Sequence, residues 1–163
     1  MAVFVQTEDF DVSTELAKMR AGKPAIGAVV SFVGLVRDLN DGLDVQAMEL
    51  EHYPGMTEKS LDDIVQQAGQ RWQLLDTLVI HRVGILQPLD QIVLVAVASA
   101  HRGEAFAACE FIMDYLKTQA PFWKKEQTSQ GARWVDAREA DDYALNKWQL
   151  AGTISTNMGK ESA

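Results

Sequence analysis

The sequence predicts an α+β domain in which strands and helices are mixed without strict alternation. Short runs rich in Val, Ile and Phe are typical of strands, and longer segments with apolar residues three and four apart are typical of helices. Because the two kinds follow one another in no regular order, a doubly wound parallel sheet is disfavoured. A length of 163 residues fits one domain. We expect that domain to occupy residues 1–150, with 151–163 as a flexible tail.

Composition and charge exclude several classes of protein. Hydrophobic residues make up 47% and charged residues 23% of the chain, as in ordinary globular proteins. No segment has the length of a membrane helix and the start lacks a secretion signal, so a cytoplasmic location is expected. The net charge of -8 opposes binding to nucleic acid or an anionic membrane. The single cysteine, Cys109, cannot form an internal disulfide and argues against a structural zinc site.

Five segments in the first hundred residues are predicted to be strands. Met1–Thr7 alternates like a short edge strand, whereas Ala25–Val36 is apolar enough to be a buried one. Val45–His52 has one face more apolar than the other, as expected of a strand covered on one side. Thr77–Val83 precedes Ile92–Ala100, which is apolar at nearly every position and is therefore predicted to lie in the centre of the sheet.

Helical spacing marks three segments, and a hairpin follows them. Ser13–Arg20 is a short helix, and Thr57 is the predicted N-cap of a second helix. The apolar residues of the second helix are Leu61, Ile64, Val65, Ala68 and Trp72. In the third, Gly103–Gln119, the predicted apolar face consists of Phe106, Cys109, Ile112, Met113 and Leu116. Phe122–Gln127 and Arg133–Ala137 then form a hairpin, and Glu139–Trp148 a last helix.

An acidic chain that binds an anion needs a local cluster of positive charge. His101 and Arg102 lie where a buried strand meets a helix, so backbone N–H groups and two cationic side chains could converge there on a phosphate. They could also be solvated residues of a connecting loop. Arg37, at the end of its strand, could fork onto phosphate oxygens or be an ordinary surface arginine.

Two lysines are candidates for chemistry. Lys117 lies at the border of an apolar helix face, where it could reach solvent or occupy a partly dry pocket and exchange protons near neutral pH. Lys124 could face the same cavity from an apolar-aromatic run, or belong to a solvated strand edge. Lys125 should point to the other side of that strand. Cys109 lies within the apolar face and is interpreted as a buried structural thiol, and His52 as structural.

Seven segments carry a resemblance to a known family. They are Phe32–Arg37, Leu50–Lys59, Ile80–Gly84, Ala98–Arg102, Phe111–Thr118, Ala120–Glu126 and Trp134–Glu139. In this order they resemble the large, catalytic subunits of the molybdopterin synthase family. The resemblance covers about Ala25 to Trp148, and a long ordered match is more specific than any single motif.

The resemblance implies roles for individual residues. Lys117 and Lys124 correspond to the family's catalytic pair. The family's anion and pterin pocket corresponds to Arg37, His101 and Arg102.

Five further positions follow from the resemblance. Lys125 and Glu126 would line the same pocket. Leu35 and Val36 would contribute backbone contact only, because Leu35 departs from the polar or basic residue expected before Val-Arg. Arg138 matches an arginine that in the family reaches the pocket of the neighbouring subunit.

The resemblance also implies a fold, partners and a reaction. The implied fold is an α/β hammerhead with an added small antiparallel β subdomain. The implied assembly is a heterotetramer: a central homodimer flanked by two small ubiquitin-like subunits, each with a C-terminal Gly-Gly thiocarboxylate. Sulfur would pass from that thiocarboxylate to cyclic pyranopterin monophosphate, forming the dithiolene of molybdopterin in molybdenum cofactor biosynthesis. No metal or other cofactor is expected.

Two alternatives remain open from the residues themselves. The same basic pocket could serve a lyase or isomerase that acts on another phosphorylated metabolite without a protein sulfur donor. The domain could also be a dimeric adaptor that binds a ubiquitin-like tail and performs no chemistry.

Overall fold

The computed structural model describes residues 1–40, 42–135 and 144–149. In chain order the elements are β1 (Ala2–Gln6), α1 (Val12–Arg20), β2 (Ala28–Leu35), β3 (Leu39–Asn40), β4 (Leu43–His52), α2 (Met56–Arg71), β5 (Asp76–Arg82), β6 (Gly84–Leu86), β7 (Gln91–Ser99), α3 (Arg102–Gln119), β8 (Phe122–Thr128) and β9 (Gly131–Val135). Residues 144–149 are also helical. None of the helices in these ranges combines the length and apolar character needed to cross a membrane.

The first sheet has the strand order β1-β5-β7-β2. β1 runs parallel to β5, and the other two pairings are antiparallel. β7 lies in the interior of the sheet, as its continuous apolar run predicts. Its alternate residues face two cores: Val95 packs with α2 and α3, and Leu94 packs with Phe10 and Met19 on the side of α1.

The prediction that Ala25–Val36 forms a buried strand is wrong. β2 is the edge strand of the first sheet, and none of its residues is fully buried. Phe32 is 40% exposed and Leu35 is 48% exposed. An apolar run alone does not distinguish a central strand from an apolar edge, because both pack at least one face.

The apolar spacing of α2 is confirmed, but its predicted N-cap is not. Leu61, Ile64, Val65 and Ala68 are buried, whereas the N-cap is Gly55 rather than Thr57. The Gly55 N–H donates to Glu58 Oε2 at 2.6 Å. The buried Thr57 hydroxyl instead donates to Pro121 O at 3.0 Å, which ties α2 to the chain just before β8.

The apolar face of α3 is confirmed at four of its five predicted positions. Cys109, Ile112, Met113 and Leu116 are buried against the first sheet. Phe106 is 61% exposed. Its position, seven residues before Met113, lies on the flank of α3 rather than at the centre of its buried face.

The second sheet is antiparallel throughout. Its order is β3-β4-β8-β9, with β6 paired to β4. The predicted hairpin of β8 and β9 is confirmed, whereas β6 falls between two predicted strands, Thr77–Val83 and Ile92–Ala100, and was not predicted. A bulge between Val45 and Ala47 brings Val45 onto the buried side with Met48 and Leu50. The α+β class, with an added antiparallel β unit, is thus confirmed.

The segment 144–149 packs on α2 and α3. The Trp148 ring lies 5.6 Å from both Trp72 and Phe111, and its Nε1–H donates to Asp114 Oδ2 at 2.6 Å. The rest of the helix predicted over Glu139–Trp148, and the predicted tail at 151–163, lie outside the described residues.

Replacing Trp148 with alanine should lower the free energy of unfolding by about 2–4 kcal/mol, because it removes a partly buried aromatic ring and its hydrogen bond. Urea unfolding measures the change. Asn146→Ala, at an exposed position of the same helix, is the control and should change stability by less than about 0.5 kcal/mol. Equal effects of the two substitutions would show that this segment is not anchored through Trp148.

Candidate active site

The two sheets meet where His81 stacks on Phe122. The ring centroids lie 3.8 Å apart with an interplanar angle of 17°. His81 comes from the end of β5 and is 4% exposed, and Phe122 is the first residue of β8. Strands of different sheets are therefore fixed to each other at this stack, and the candidate lysines lie beside it.

Lys124 and Lys117 reach this junction from separate elements. Lys124 pairs with Leu50 across β4 and β8 and so lies on the buried face of β8, the face that also carries Phe122. Lys117 belongs to the last turn of α3, and its side chain is exposed in the single chain. The positive charges of both lysines lower the pKa of His81, so both amines lie within electrostatic range of this ring.

His81 is held neutral at this position. Burial lowers the pKa of His81 from 6.5 to about 3. A hydrogen bond to the Arg82 carbonyl opposes this shift, and the positive charges of Lys124, Lys117 and His52 add to it. Because a carbonyl only accepts, the 2.8 Å contact of Nδ1 with Arg82 O places the hydrogen on Nδ1.

Sequence reasoning assigned His81 no role, although a signal was present. Thr77, Val79 and His81 alternate along β5, so His81 occupies the next position on a face already buried at Val79. A histidine at such a position either has its hydrogen bonds satisfied within the core or lies close to a functional site.

Lys125 and Glu126 separate across β8. Lys125 pairs with Glu49 and Trp134 on the opposite face from Lys124, and its Nζ lies 5.7 Å from the Trp134 ring. The alternation expected along β8 is therefore seen, and it argues against the expectation that Lys125 lines the same pocket as Lys124. Glu126 shares the face of Lys124, is buried, and pairs with Arg133 at 3.2 Å.

The chain leaves β2 toward the same junction. Buried Val36 packs with Leu50, and Phe122 lies against the same cluster, so the exposed Arg37 emerges at the end of the sheet where the lysines lie. The Val36 N–H donates to Asp90 O at 3.0 Å. The Val36 N–H is therefore already hydrogen-bonded, so a ligand at this point would contact other backbone groups.

His101 and Arg102 begin α3, and their loop is held closely against β2. The buried Ser99 hydroxyl donates to Gln73 O at 2.9 Å and accepts from His101 N at 3.4 Å. A Cβ atom at Gly27 would lie 2.2 Å from Ala100 O, so only glycine permits this approach. The side chains of His101 and Arg102 are exposed.

Within one chain, the basic residues form two groups rather than the single expected pocket. Arg102 and Lys117 are fifteen positions apart on α3, which separates their backbones by about 22 Å. β2 and β7 are antiparallel, so Arg37 lies at the Gln91 end of the pair and His101 at the Ser99 end. The eight residues of β2 make that separation roughly 25 Å. Arg138 lies outside the described residues.

Cys109 is remote from this chemistry, as predicted. Burial, with a smaller effect of the Glu110 charge, raises the pKa of the Cys109 thiol to about 11. A thiol that stays protonated at neutral pH is a poor nucleophile. Among residues 1–40, 42–135 and 144–149, no three His, Cys, Asp or Glu side chains are grouped as a metal site.

Residues 5–119 match the family model described as MoaE protein. The chain belongs to the MoaE family. The molybdopterin synthase catalytic subunit of Ralstonia nicotianae is 67% identical over 159 residues, which cover 98% of this chain and 89% of that protein.

Solved structures of MoaE relatives share the fold. The molybdopterin biosynthesis MoaE protein from Burkholderia ambifaria has a TM-score of 0.79 and 61% identity, covering 91% of this chain and 99% of that one. For molybdopterin synthase from Staphylococcus aureus the TM-score is 0.75 and the identity 34%, with 82% and 96% covered. The resemblance found in the sequence is thereby confirmed at the level of family and fold.

Stability should depend on pH through His81. Its folded pKa, about 3, lies below the 6.5 of an ordinary histidine, so the unfolded chain binds more protons between these values. The free energy of unfolding should therefore fall as pH falls below about 6.5. His81→Phe removes this titration, and urea unfolding between about pH 6.5 and 4.5 should show a shallower slope than wild type. Identical slopes would contradict a buried, neutral His81; measurement at about pH 8 provides the common reference.

Proposed function

We propose that this MoaE chain is the catalytic subunit of a molybdopterin synthase. It transfers sulfur from the thiocarboxylated C-terminus of a small ubiquitin-like subunit to cyclic pyranopterin monophosphate, forming the dithiolene of molybdopterin. The observation that carries the proposal is that Lys124 lies on the face of β8 that carries the His81–Phe122 stack, while Lys117, at the end of α3, lies within electrostatic range of the same ring. The resemblance marks the same two lysines as the catalytic pair, and a relative 67% identical is a molybdopterin synthase catalytic subunit.

The positive charges of the lysine pair stabilise the negative charges that take part in the reaction. The incoming thiocarboxylate is an anion, and attack by its sulfur on a side-chain carbon of the pterin forms a C–S bond and builds further negative charge on oxygen. Water then cleaves the resulting thioester, so that the small subunit leaves with a carboxylate and the sulfur stays on the pterin; a second thiocarboxylate delivers the second sulfur. Two amines at one position stabilise both charges, and one of them transfers a proton as the cyclic phosphate opens. Because the sulfur arrives on the partner, the buried Cys109 thiol has no part in the transfer.

A second copy of the chain completes the phosphate site in this proposal. Arg102, Phe106, Met113 and Lys117 succeed one another along one flank of α3 at intervals of four, seven and four residues. In a two-fold dimer the same flank meets itself. Antiparallel pairing of two α3 flanks about the middle of the helix then places Arg102 of the second copy beside Lys117 of the first.

The free edge of the first sheet supports the same pairing. β2 is an edge strand, and Phe32, Leu35 and Phe106 expose apolar surface near it. If two β2 strands meet antiparallel at Phe32, Arg37 lies opposite residue 27 of the second copy. Gly27 contacts Ala100, which immediately precedes His101. One two-fold axis thus brings Arg37 and Lys117 of one copy near His101 and Arg102 of the other.

The proposal includes two further expectations, one on the location of the protein and one on its domain organisation. The protein would work in the cytoplasm, where the single cysteine stays reduced. Residues 1–150 would act as one domain, which is supported by the packing of Trp148 on the core formed by α2 and α3.

Lys124→Ala should reduce dithiolene formation at least about 100-fold, because it removes one of the two charges at the reacting atoms. Lys117→Ala should do the same, and both variants should still bind the small subunit. Lys125→Ala is the matched control, since Lys125 lies on the other face of β8, and it should retain turnover within about threefold. The assay mixes purified protein, thiocarboxylated small subunit and precursor. Near-normal turnover by Lys117→Ala or Lys124→Ala would remove that lysine from the mechanism.

Product formation without the thiocarboxylated donor would instead favour the lyase or isomerase. Donor binding by the wild type with no consumption of precursor would favour the adaptor.

Mixing two defective variants tests the shared site. Arg37→Ala and Arg102→Ala should each raise the KM for the precursor, because each removes a phosphate contact. After their subunits are exchanged, half of the dimers are mixed, and each mixed dimer has one site with both arginines. About a quarter of wild-type activity should return at low precursor concentration. A mixture no more active than its components would place the two arginines in separate sites.

A further inference from the structure

The turn between β6 and β7 contains a strained residue whose side chain is largely exposed. Gln87–Asp90 has the features of a type II turn: Pro88 at its second position, a left-handed Leu89 with φ 74° at its third, and an Asp90 N–H that donates to Gln87 O at 2.9 Å. The left-handed region favours glycine, and a leucine there is strained. Leu89 is 82% exposed, so burial of its side chain does not offset the strain. Hydrogen bonds of the turn must hold this conformation.

Two of those hydrogen bonds join the turn to Val36, the residue before Arg37. The Val36 N–H donates to Asp90 O at 3.0 Å, and the Leu89 N–H donates to Val36 O at 2.8 Å. Two residues therefore oppose one, and the first of the two is left-handed, which is the geometry of a G1 β-bulge. A second irregularity of the same strand pairing lies at Gly34–Leu35. Bulges bend the chain and change the direction of nearby side chains.

The Asp90 carboxylate stabilises this bulge. Its Oδ2 accepts a hydrogen bond from the Gln87 N–H at 2.9 Å, in addition to the main-chain bond of the turn. The first and last residues of the turn are thus joined twice. The carboxylate therefore supports the left-handed backbone at Leu89 and, through it, both hydrogen bonds to Val36.

Arg37 depends on this support because its guanidinium group has none of its own. Within the part of the chain that the structure describes, no hydrogen bond or ion pair holds the Arg37 side chain. Its backbone lies between Val36, bonded to the turn of the first sheet, and Asp38, whose carbonyl accepts from the Val45 N–H of β4 at 2.7 Å. We propose that Asp90 is a positioning residue which, through the bulge opposite Val36, holds Arg37 where it binds the phosphate of the precursor.

Substitutions in the turn separate this role from general stability. Asp90→Ala removes the carboxylate, whereas Asp90→Asn keeps an oxygen that can accept the same hydrogen bond. The activity readout rests on the proposed function. Asp90→Ala should raise the KM for the precursor at least about threefold with kcat within about twofold, and Asp90→Asn should recover most of the loss. Leu89→Gly, which fits the left-handed backbone, should leave KM unchanged.

A matched control and a double substitution test the route through Arg37. Asp11→Ala removes a carboxylate that also accepts a backbone N–H, that of Thr14 at 2.8 Å, at the start of α1, and it should leave KM unchanged. In an Arg37→Ala background, Asp90→Ala should raise KM no further, because both substitutions remove the same phosphate contact. A rise by the same factor in both backgrounds, or an equal rise with Asp11→Ala, would overturn the inference.

Amide hydrogen exchange tests the inference without turnover and without a variant of the turn. If the bulge holds Arg37 for a phosphate, bound phosphate must stabilise the bulge in return. Inorganic phosphate at about ten times its Kd should slow exchange of the Val36 and Leu89 amides at least about threefold in the wild type, and should not do so in Arg37→Ala. Wild-type exchange rates that do not respond to phosphate overturn the inference. Wild-type protein that shows the slowing but makes no dithiolene refutes only the proposed function.

Discussion

The packing of His81 on Phe122 is the contact on which the functional geometry depends. Backbone hydrogen bonds hold each sheet together internally, but they do not determine the position of one sheet relative to the other. The aromatic stack helps to fix that position, together with the Thr57 hydroxyl that holds Pro121 and the apolar cluster in which Val5 and Ile92 of the first sheet pack with Leu50 and Leu86 of the second. Lys124 follows in the same strand. Lys124 on the second sheet and Lys117 on a helix of the first thereby both come within electrostatic range of His81.

The same fold keeps the other cations apart. Because an α-helix rises about 1.5 Å per residue, the two ends of α3 cannot serve one pocket, whatever the side-chain rotamers. The antiparallel pairing of β2 with β7 imposes the same separation on Arg37 and His101. A chain of net charge -8 thus has one basic group at each end of a helix-strand layer. In the proposed dimer, a two-fold axis between the ends converts this separation into two equivalent composite sites.

The spacing of apolar residues predicted most of the helices and strands, because it shows which side of each one is buried. The spacing from Leu61 to Ala68 identified α2, and the unbroken apolar run of β7 identified an interior strand. Pattern could not show that β2 is an edge, since strand order is decided by pairing between distant segments. It also misplaced Phe106, whose exposure follows from which flank of α3 meets the sheet. The separation of Arg37 and Lys117 from His101 and Arg102 within one chain was not predicted either, because spacing along the sequence does not give the direction of a strand.

The chemistry favours drawing the two amines from different elements. Two ammonium groups on one short segment would repel each other in every conformation of that segment. When one comes from the end of α3 and the other from the middle of β8, packing elsewhere compensates for the repulsion and holds the amines where an anion can bridge them. On the same buried face as Lys124, Glu126 is already paired with Arg133. Its carboxylate charge is thereby offset locally, and the positive field of the lysines remains directed at the incoming thiocarboxylate.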